Sequence, residues 1–168
     1  MKKLLIAIIA VLFLGMAYYF ISPLWRVVEL DDASPISDVA GDDLAKMMEE
    51  MKDEVVEMDE PKPDMPRLVA SGDFLPKAHV VEGKAILIEN GGERTLRFED
   101  FETVNGPDLF IYLATDETGS DFVDLGRIKA TKGNINYDVP LGTDTDKYNK
   151  VLVWCRAFRV LFSLAELE

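Results

Sequence analysis

The chain has 168 residues and a formal net charge of −13, from 31 acidic and 18 basic residues, and it contains a single cysteine. This length suggests one globular domain with additional segments. Nucleic-acid binding depends on neutralising phosphates, so a chain this acidic, without a cluster of lysine and arginine, is not expected to bind nucleic acid. The single cysteine also excludes a disulfide bond within the chain.

The N-terminal segment is the most apolar part of the sequence. Leu4–Ile21 is a run of 18 residues without a charge, and as a helix it would measure about 27 Å, close to the hydrocarbon thickness of a bilayer. Lys2 and Lys3 precede it, and Trp25 follows it where aromatic residues favour the membrane interface. We therefore expect residues 1–25 to form a cytoplasmic tip and a single-pass anchor in the cell membrane, with the rest of the chain extracytoplasmic. The alternative is a cleaved signal peptide, although the apolar run is long for one and bulky residues follow it.

Residues 26–66 form a strongly acidic region framed by prolines, with 4 basic and 14 acidic residues between Ser22 and Pro66. Within it, apolar side chains recur at helical spacing: Leu44, Met47, Met48, Met51, Val55 and Met58. This spacing predicts an amphipathic helix at about residues 42–58, within a stalk that precedes the domain. Methionine thioethers suit Cu(I), but they also fill an apolar helix face. Such a face would pack on the domain, on a second copy of the chain or on another membrane protein, so self-association through this helix is one expectation.

Residues 67–168 have the pattern of a β-rich domain, in which short runs of β-branched and aromatic residues alternate with clusters of Gly, Asn, Asp and Pro. The runs predict strands at Leu68–Phe74, Ala78–Glu82, Ala85–Glu89, Arg94–Glu99, Leu109–Ala114, Arg127–Ala130, Ile135–Val139, Val151–Ala157 and Arg159–Phe162. Gly91 and Gly92 suit a tight turn between two of them. Many short strands with regular turn signals predict an all-β domain, an antiparallel β-sandwich or a barrel-like fold.

Several residues of this sequence match, in the same order, the residues that are typical of a known family. They are Gly72, Phe74, His79, Gly83, Leu96 and Phe98, the NGPDL sequence at Asn105–Leu109, then Leu125, Gly126, Lys129, Gly133, Tyr137 and Pro140, and last Trp154, Cys155 and Phe158. Over Ser71–Leu167 the sequence resembles the DM-thirteen domain family, often called the electron-transfer DM-thirteen domain, which occurs beside DOMON domains and alone in prokaryotic surface proteins. The resemblance implies an extracytoplasmic β-rich domain with a redox role centred on the cysteine that aligns with Cys155. Asn136 stands where the family often has glutamine.

Cys155 is the residue on which this implied redox role depends. On a strand, Cys155 shares one face with Val153, whereas Trp154 and Arg156 share the other. If Arg156 faces water, Cys155 faces the core, where thiols are usually unreactive. The alternatives are a thiolate ligand to a haem or a metal, and a thiol that forms an intermolecular disulfide. Cys155 is therefore the candidate catalytic residue, as a redox thiol or a ligand.

His79 is the only histidine in the sequence and the candidate second ligand. One histidine and one cysteine cannot build a closed zinc site, but they would suffice as the axial pair of a haem. Because the sequence has no C-x-x-C-H attachment motif, such a haem would be bound non-covalently. The cofactor stays open between a non-covalent haem, a metal and none, with His79 and Cys155 as the candidate cofactor-binding residues.

A turn sequence and two aromatic residues complete the candidate positions. The structural motif residues are Asn105, Gly106, Pro107, Asp108, Trp154 and Phe158. Asn-Gly-Pro-Asp is turn chemistry, and here it leads into an apolar strand.

Two functions are compatible with these features. One is an electron carrier or thiol redox protein with a redox or surface protein partner, rather than a conventional enzyme. The other is a non-catalytic surface binding or adhesion module in which Cys155 is only a core residue. A redox site requires Cys155 to be accessible or to lie beside a cavity, and a binding module requires neither.

Overall fold

The computed structural model describes residues 2–22, 26–36 and 66–168. The predicted amphipathic helix at residues 42–58 lies outside this part of the chain. Near the N-terminus, Lys2–Ile21 form a helix, α1, that is long and apolar enough to cross a membrane. It is apolar all round, which is typical of a membrane-spanning helix and not of an amphipathic surface helix. The helix is thus consistent with the predicted single span.

The rest of the described chain is built from β-strands. They are β1 (Glu29–Asp31), β2 (Arg67–Asp73), β3 (Leu75–Pro76), β4 (Val81–Asn90), β5 (Glu93–Thr103), β6 (Leu109–Ala114), β7 (Phe122–Arg127), β8 (Lys132–Val139), β9 (Lys150–Cys155) and β10 (Val160–Glu166). They form two five-stranded sheets, with the orders β1-β8-β5-β4-β2 and β3-β10-β9-β6-β7. Neighbouring strands are antiparallel except β1 and β8, which are parallel. The predicted all-β fold is confirmed, as two sheets and not as one closed barrel in the described residues.

The hydrophobic core lies between the two sheets, because alternate side chains of each strand point to the same face. Leu96 and Phe98 of β5 belong to one buried cluster with Ile111 of β6. Phe74, just after β2, packs its ring 4.8 Å from that of Phe98 and 4.9 Å from that of Phe101, measured between ring centroids. Burying each such side chain contributes about 1.5–3 kcal/mol to folding, so this cluster is a main source of stability.

Most of the predicted strands are present, and the differences have identifiable causes. The predicted strands Ala78–Glu82 and Ala85–Glu89 fall largely on one strand, β4, because Gly83 marks a bulge with a φ of 104° and not a turn. The predicted strand Arg127–Ala130 is the last residue of β7 followed by a connection, since β7 begins earlier, at Phe122. The two shortest strands, β1 and β3, have too few residues to show a period of two.

Residues 26–36, which the sequence suggested were part of the stalk, belong to the sandwich. β1 pairs with β8, and the backbone N–H of Val28 donates to Thr131 Oγ1 while Val28 O accepts from Thr131 N. The first sheet therefore begins at Glu29, eight residues after the end of α1. Because β1 and β2 are the two edge strands of that sheet, the segment between Ile36 and Pro66 connects its opposite edges.

Candidate functional site

Cys155 is the last residue of β9 and lies in the hydrophobic core. Its exposed fraction is 0%, as is that of Val153 on the same face. On the flanking strands it pairs with Leu109 and Val160. Strand alternation predicts this inward orientation if Arg156 faces water, and Arg156 is exposed. A thiol enclosed by apolar neighbours meets a reagent or a partner only when the structure opens locally.

Arg156 directs its charge away from the Cys155 thiol. Its guanidinium donates from Nε to the Tyr112 hydroxyl and from Nη2 to Asp124 Oδ2, both at 2.5 Å. It also stacks 3.3 Å from the centroid of the Phe110 ring. Phe110 and Tyr112 belong to the small cluster on the outer face of the second sheet, opposite the core. This arginine is therefore not placed to stabilise a thiolate at Cys155.

Trp154 packs in the same outer cluster, which the connection between β6 and β7 covers. Tyr112, Ala114, Leu152 and Leu164 form the buried part of that cluster, and Trp154 lies against it. In the covering connection, a Cβ on Gly119 would lie 3.6 Å from the Trp154 ring. The indole is thus a packing group in this structure. Phe158, by contrast, is 59% exposed in the turn between β9 and β10.

His79 lies in the connection between β3 and β4 and is half-buried. Its ring centroid is 4.0 Å from that of Phe162, and its backbone N–H donates to Phe162 O at 3.3 Å. Phe162 belongs to β10, the strand that lies between β3 and β9 in the second sheet. Neither His79 nor Cys155 lines any of the five main surface cavities of the described residues.

The turn Asn105–Asp108 joins three separate parts of the chain. Asn105 accepts from Gly106 N through Oδ1 at 2.8 Å and donates through Nδ2 to Arg26 O at 3.1 Å. Asp108 O accepts from Arg156 N at 2.9 Å. A Cβ on Gly106 would lie only 3.0 Å from side-chain atoms of the core, which accounts for glycine there. The turn therefore holds the segment after α1 and the turn after β9 at one end of the sandwich.

A surface groove of about 500 Å³ lies at this end of the molecule. Its walls are Arg26–Val27, Val80–Glu82 and Glu102–Asn105, together with Pro76 and Thr131. We call it the anchor-side groove, because its first wall follows α1 in the chain. No residue that the sequence analysis proposed as a ligand lines it, and Asn105 is the one motif residue that does.

The anchor-side groove combines apolar surface with acidic groups. Val27 and Val80 are 69% and 71% exposed. Glu102 accepts a hydrogen bond from Lys132 Nζ at 2.8 Å, and this bond raises the pKa of Lys132. The groove can thus offer van der Waals contacts and carboxylate acceptors to a molecule that enters it.

Arg97 is a buried cation that sequence analysis did not identify. It lies on β5 with its side chain only 5% exposed. Its Nη1 donates to Asp32 O at 3.0 Å, Ala33 O at 3.3 Å and Asn136 Oδ1 at 2.9 Å, and its Nε donates to Glu99 at 2.9 Å. These contacts fasten the residues after β1 to the outer face of the first sheet. No local sequence signal shows this, because the carbonyl acceptors lie 64 and 65 positions away in the chain.

The described chain is thus an all-β sandwich domain that follows an apolar helix. The model of the family described as electron transfer DM13 matches residues 73–167. Because that match covers more than half of the 168 residues, the chain belongs to the electron transfer DM13 family. This confirms the family resemblance of the sequence analysis, and the family description indicates a redox role in general. No curated protein and no solved structure matches the chain.

Proposed function

We propose that the chain is a membrane-anchored, extracytoplasmic domain that takes part in electron transfer by binding a redox partner in the anchor-side groove. In this proposal Cys155 is a packing residue of the core. The family match supports the redox role, and the length and apolar character of α1 support the anchor. The single observation that carries the proposal is access: Cys155 is 0% exposed, whereas the groove is open to solvent.

The surroundings of Cys155 support a packing role. Thiol–disulfide exchange needs a thiolate and direct approach of a second sulfur. Here the thiol lies among apolar side chains, and the nearest arginine in sequence, Arg156, is bonded to Tyr112 and Asp124 on the opposite face of the sheet. A haem held by Cys155 and His79 would have to displace core side chains to reach the sulfur.

The lining of the anchor-side groove supports binding of a molecule with an apolar body and a hydrogen-bond donor or positive charge. Pockets for small molecules and peptides are usually apolar with a few placed polar groups. Val27, Val80 and Val104 supply the apolar part, and Glu82 and Glu102 supply the carboxylates. A redox partner with these properties is the ligand class that we assign to the groove.

The test is a thiol titration and a visible spectrum of the full chain purified in detergent, beside Cys155→Ser and Ala157→Cys. Ala157 is exposed, so its replacement supplies a freely reachable thiol two positions along the chain. We expect a thiol reagent to label Ala157→Cys at once and the native Cys155 only after unfolding. We also expect Cys155→Ser to have the same spectrum as the native chain.

Two results would contradict the proposal. Labelling of native Cys155 as fast as that of the introduced thiol would indicate thiol redox chemistry. A visible absorption band that disappears in Cys155→Ser would make Cys155 a ligand of a redox cofactor.

A further inference from the structure

One end of the sandwich follows α1 after a very short piece of chain. Arg26 comes five residues after Ile21, so their Cα atoms are at most about 18 Å apart even in a fully extended chain. From Val28 onward the chain is bonded to the sandwich through Thr131. If α1 spans a bilayer, as in the proposed function on which this inference rests, the sandwich begins close to the membrane surface.

The parts of the molecule at this end can be identified by their hydrogen bonds. We call them the membrane-proximal end, and they are residues 26–28 and the strand connections 77–80, 104–108, 128–131 and 156–159. Asn105 bonds to Arg26, Asp108 bonds to Arg156, and Thr131 bonds to Val28. Thr103 Oγ1 donates a hydrogen bond to Val80 O and so holds the connection 77–80 at the same end of the sandwich.

The membrane-proximal end exposes large apolar side chains. Val27 and Val80, 69% and 71% exposed, are walls of the anchor-side groove, whereas Phe158 lies outside the groove and is 59% exposed. Phe158 is part of a four-residue turn whose first and last members are Arg156 and Arg159. An exposed aromatic side chain with neighbouring arginines is typical of segments that lie at the interface of a membrane.

The charge of the connections also differs between the two ends. The four connections of the membrane-proximal end contain four basic residues, Lys77, Lys129, Arg156 and Arg159, and one acidic residue, Asp108. Of the other connections, 91–92 and 140–149 lie at the opposite end and contain Asp144, Asp146 and Lys147. The connection 115–121 folds over the outer face of the second sheet, where its Glu117 pairs with Lys77 at 2.7 Å. Arg156 is likewise paired, with Asp124, so Lys129 and Arg159 are the two of these four basic residues that have no carboxylate partner in the described residues. Anionic membrane surfaces attract such basic groups, which favours this end as the one that faces a bilayer.

We propose that the turn 156–159 of the membrane-proximal end docks on the surface of the lipid bilayer, with Phe158 in the interfacial layer and Arg159 and Lys129 at the lipid phosphates. None of these residues lines the anchor-side groove, so the groove stays available to the partner of the proposed function. The domain then lies against the membrane with the connection 140–149, which contains Asp144 and Asp146, directed away from it. Because the segment between α1 and the sandwich is short, the bilayer surface is present at a high effective concentration around the domain. Weak individual contacts are therefore sufficient for docking.

The full chain reconstituted into vesicles that contain anionic lipid and a headgroup-nitroxide lipid would test this orientation. A fluorophore is attached at Ala157→Cys or, as a matched control, at Leu141→Cys, which is 79% exposed in a connection of the opposite end. Unsubstituted chain reports any labelling of Cys155. We expect several-fold stronger quenching at position 157 than at position 141. In Ala157→Cys we further expect this excess to fall when Phe158→Ser and Arg159→Ser are added.

The outcomes separate this inference from the proposed function. Equal quenching at both positions, in a chain that floats with the vesicles, would overturn the docking and leave the anchor intact. Failure of the chain to float with vesicles would overturn the anchor and the docking together. Strong quenching at position 157 that is unchanged by the two serine substitutions would overturn the assignment of the contact to Phe158 and Arg159.

Discussion

The core around Cys155 and the anchor-side groove are parts of one sandwich, but they differ in what can reach them. Cys155 is enclosed by side chains from both sheets and has an exposed fraction of 0%. The groove is lined by chain that enters the sandwich directly after α1, and its valines and carboxylates face outward. The single cysteine is therefore inaccessible to solvent, while valine and glutamate side chains form the accessible surface of the groove. Accessibility, and not residue type, decides which region can bind a partner.

Gly72→Ala is the substitution expected to disturb the closed core most. A Cβ at Gly72 would clash with the backbone carbonyl of Glu166, where the two sheets approach each other and Ser71 exchanges two 3.0 Å hydrogen bonds with Glu168. We expect a loss of about 3 kcal/mol in the free energy of unfolding, because overpacking against backbone cannot relax easily. Chemical denaturation measures this loss, and thiol labelling of Cys155 should become faster in parallel.

Gly92→Ala is the matched control for this glycine. Gly92 has open space around its Cβ position but a φ of 82°. We therefore expect Gly92→Ala to lose only about 1 kcal/mol of unfolding free energy, from backbone strain alone. If both variants lose the same stability, the close approach of the sheets is not what requires glycine at position 72.

Arg97→Met is expected to cause the next largest loss of stability, because it removes buried hydrogen bonds. Arg97→Met keeps the length of the side chain but removes its hydrogen bonds to Asp32, Ala33 and Asn136. We expect a loss of about 2 kcal/mol, as for other buried charge-assisted bonds. Hydrogen exchange should report faster exchange at Val28 and Thr131, because the segment after β1 is released.

Arg67→Met provides the exposed counterpart of Arg97→Met. Arg67 bonds to Glu89 at 2.8 Å, but its side chain is 69% exposed, and such surface pairs contribute less than about 1 kcal/mol. A loss for Arg67→Met as large as that for Arg97→Met would contradict the importance that we assign to burial.

The sequence allowed the helix and the all-β class to be predicted, the helix from an uncharged apolar run and the strands from local alternation and turn residues. The same alternation predicts that Cys155 faces the core if Arg156 faces water. Alternation on β9 alone places Cys155 with Val153. The anchor-side groove could not be predicted, since its walls come from Arg26, Val80 and Glu102, which only the sheet pairing brings together. The inclusion of residues 26–36 in the sandwich depends on the parallel pairing of β1 with β8, more than 100 positions away. Such non-local contacts leave no periodic trace in a single sequence.

Ser163→Ala is expected to change stability by a smaller amount, and to raise it instead of lowering it. Its side chain is fully buried on β10, and Oγ has no hydrogen-bond partner among the described residues. Because an unsatisfied buried hydroxyl costs stability, we expect Ser163→Ala to raise the free energy of unfolding by about 1 kcal/mol. Thr131→Val is the matched control: it removes a buried hydroxyl that is bonded to Val28, and it should lower stability by about 1 kcal/mol. Equal signs for the two variants would show that hydrogen-bond satisfaction does not determine the outcome.

The smallest expected effect is the pH dependence of Asp121, which pairs with Lys147 and so joins the connections 115–121 and 140–149. Hydrogen bonds from Lys147 and Tyr148 lower the pKa of Asp121 below its ordinary value of 3.8. A carboxylate with a lowered folded-state pKa stabilises the fold above its ordinary pKa, and this contribution is lost as the pH falls through the lowered value. Asp121→Asn should therefore melt below the native chain at pH 7, and the gap should close as the pH falls through the lowered pKa of Asp121. Because Asp121 is exposed, the gap should be small and should shrink in high salt. A gap that stays constant from pH 7 to the acid limit would mean that packing, and not the charge of Asp121, stabilises these connections.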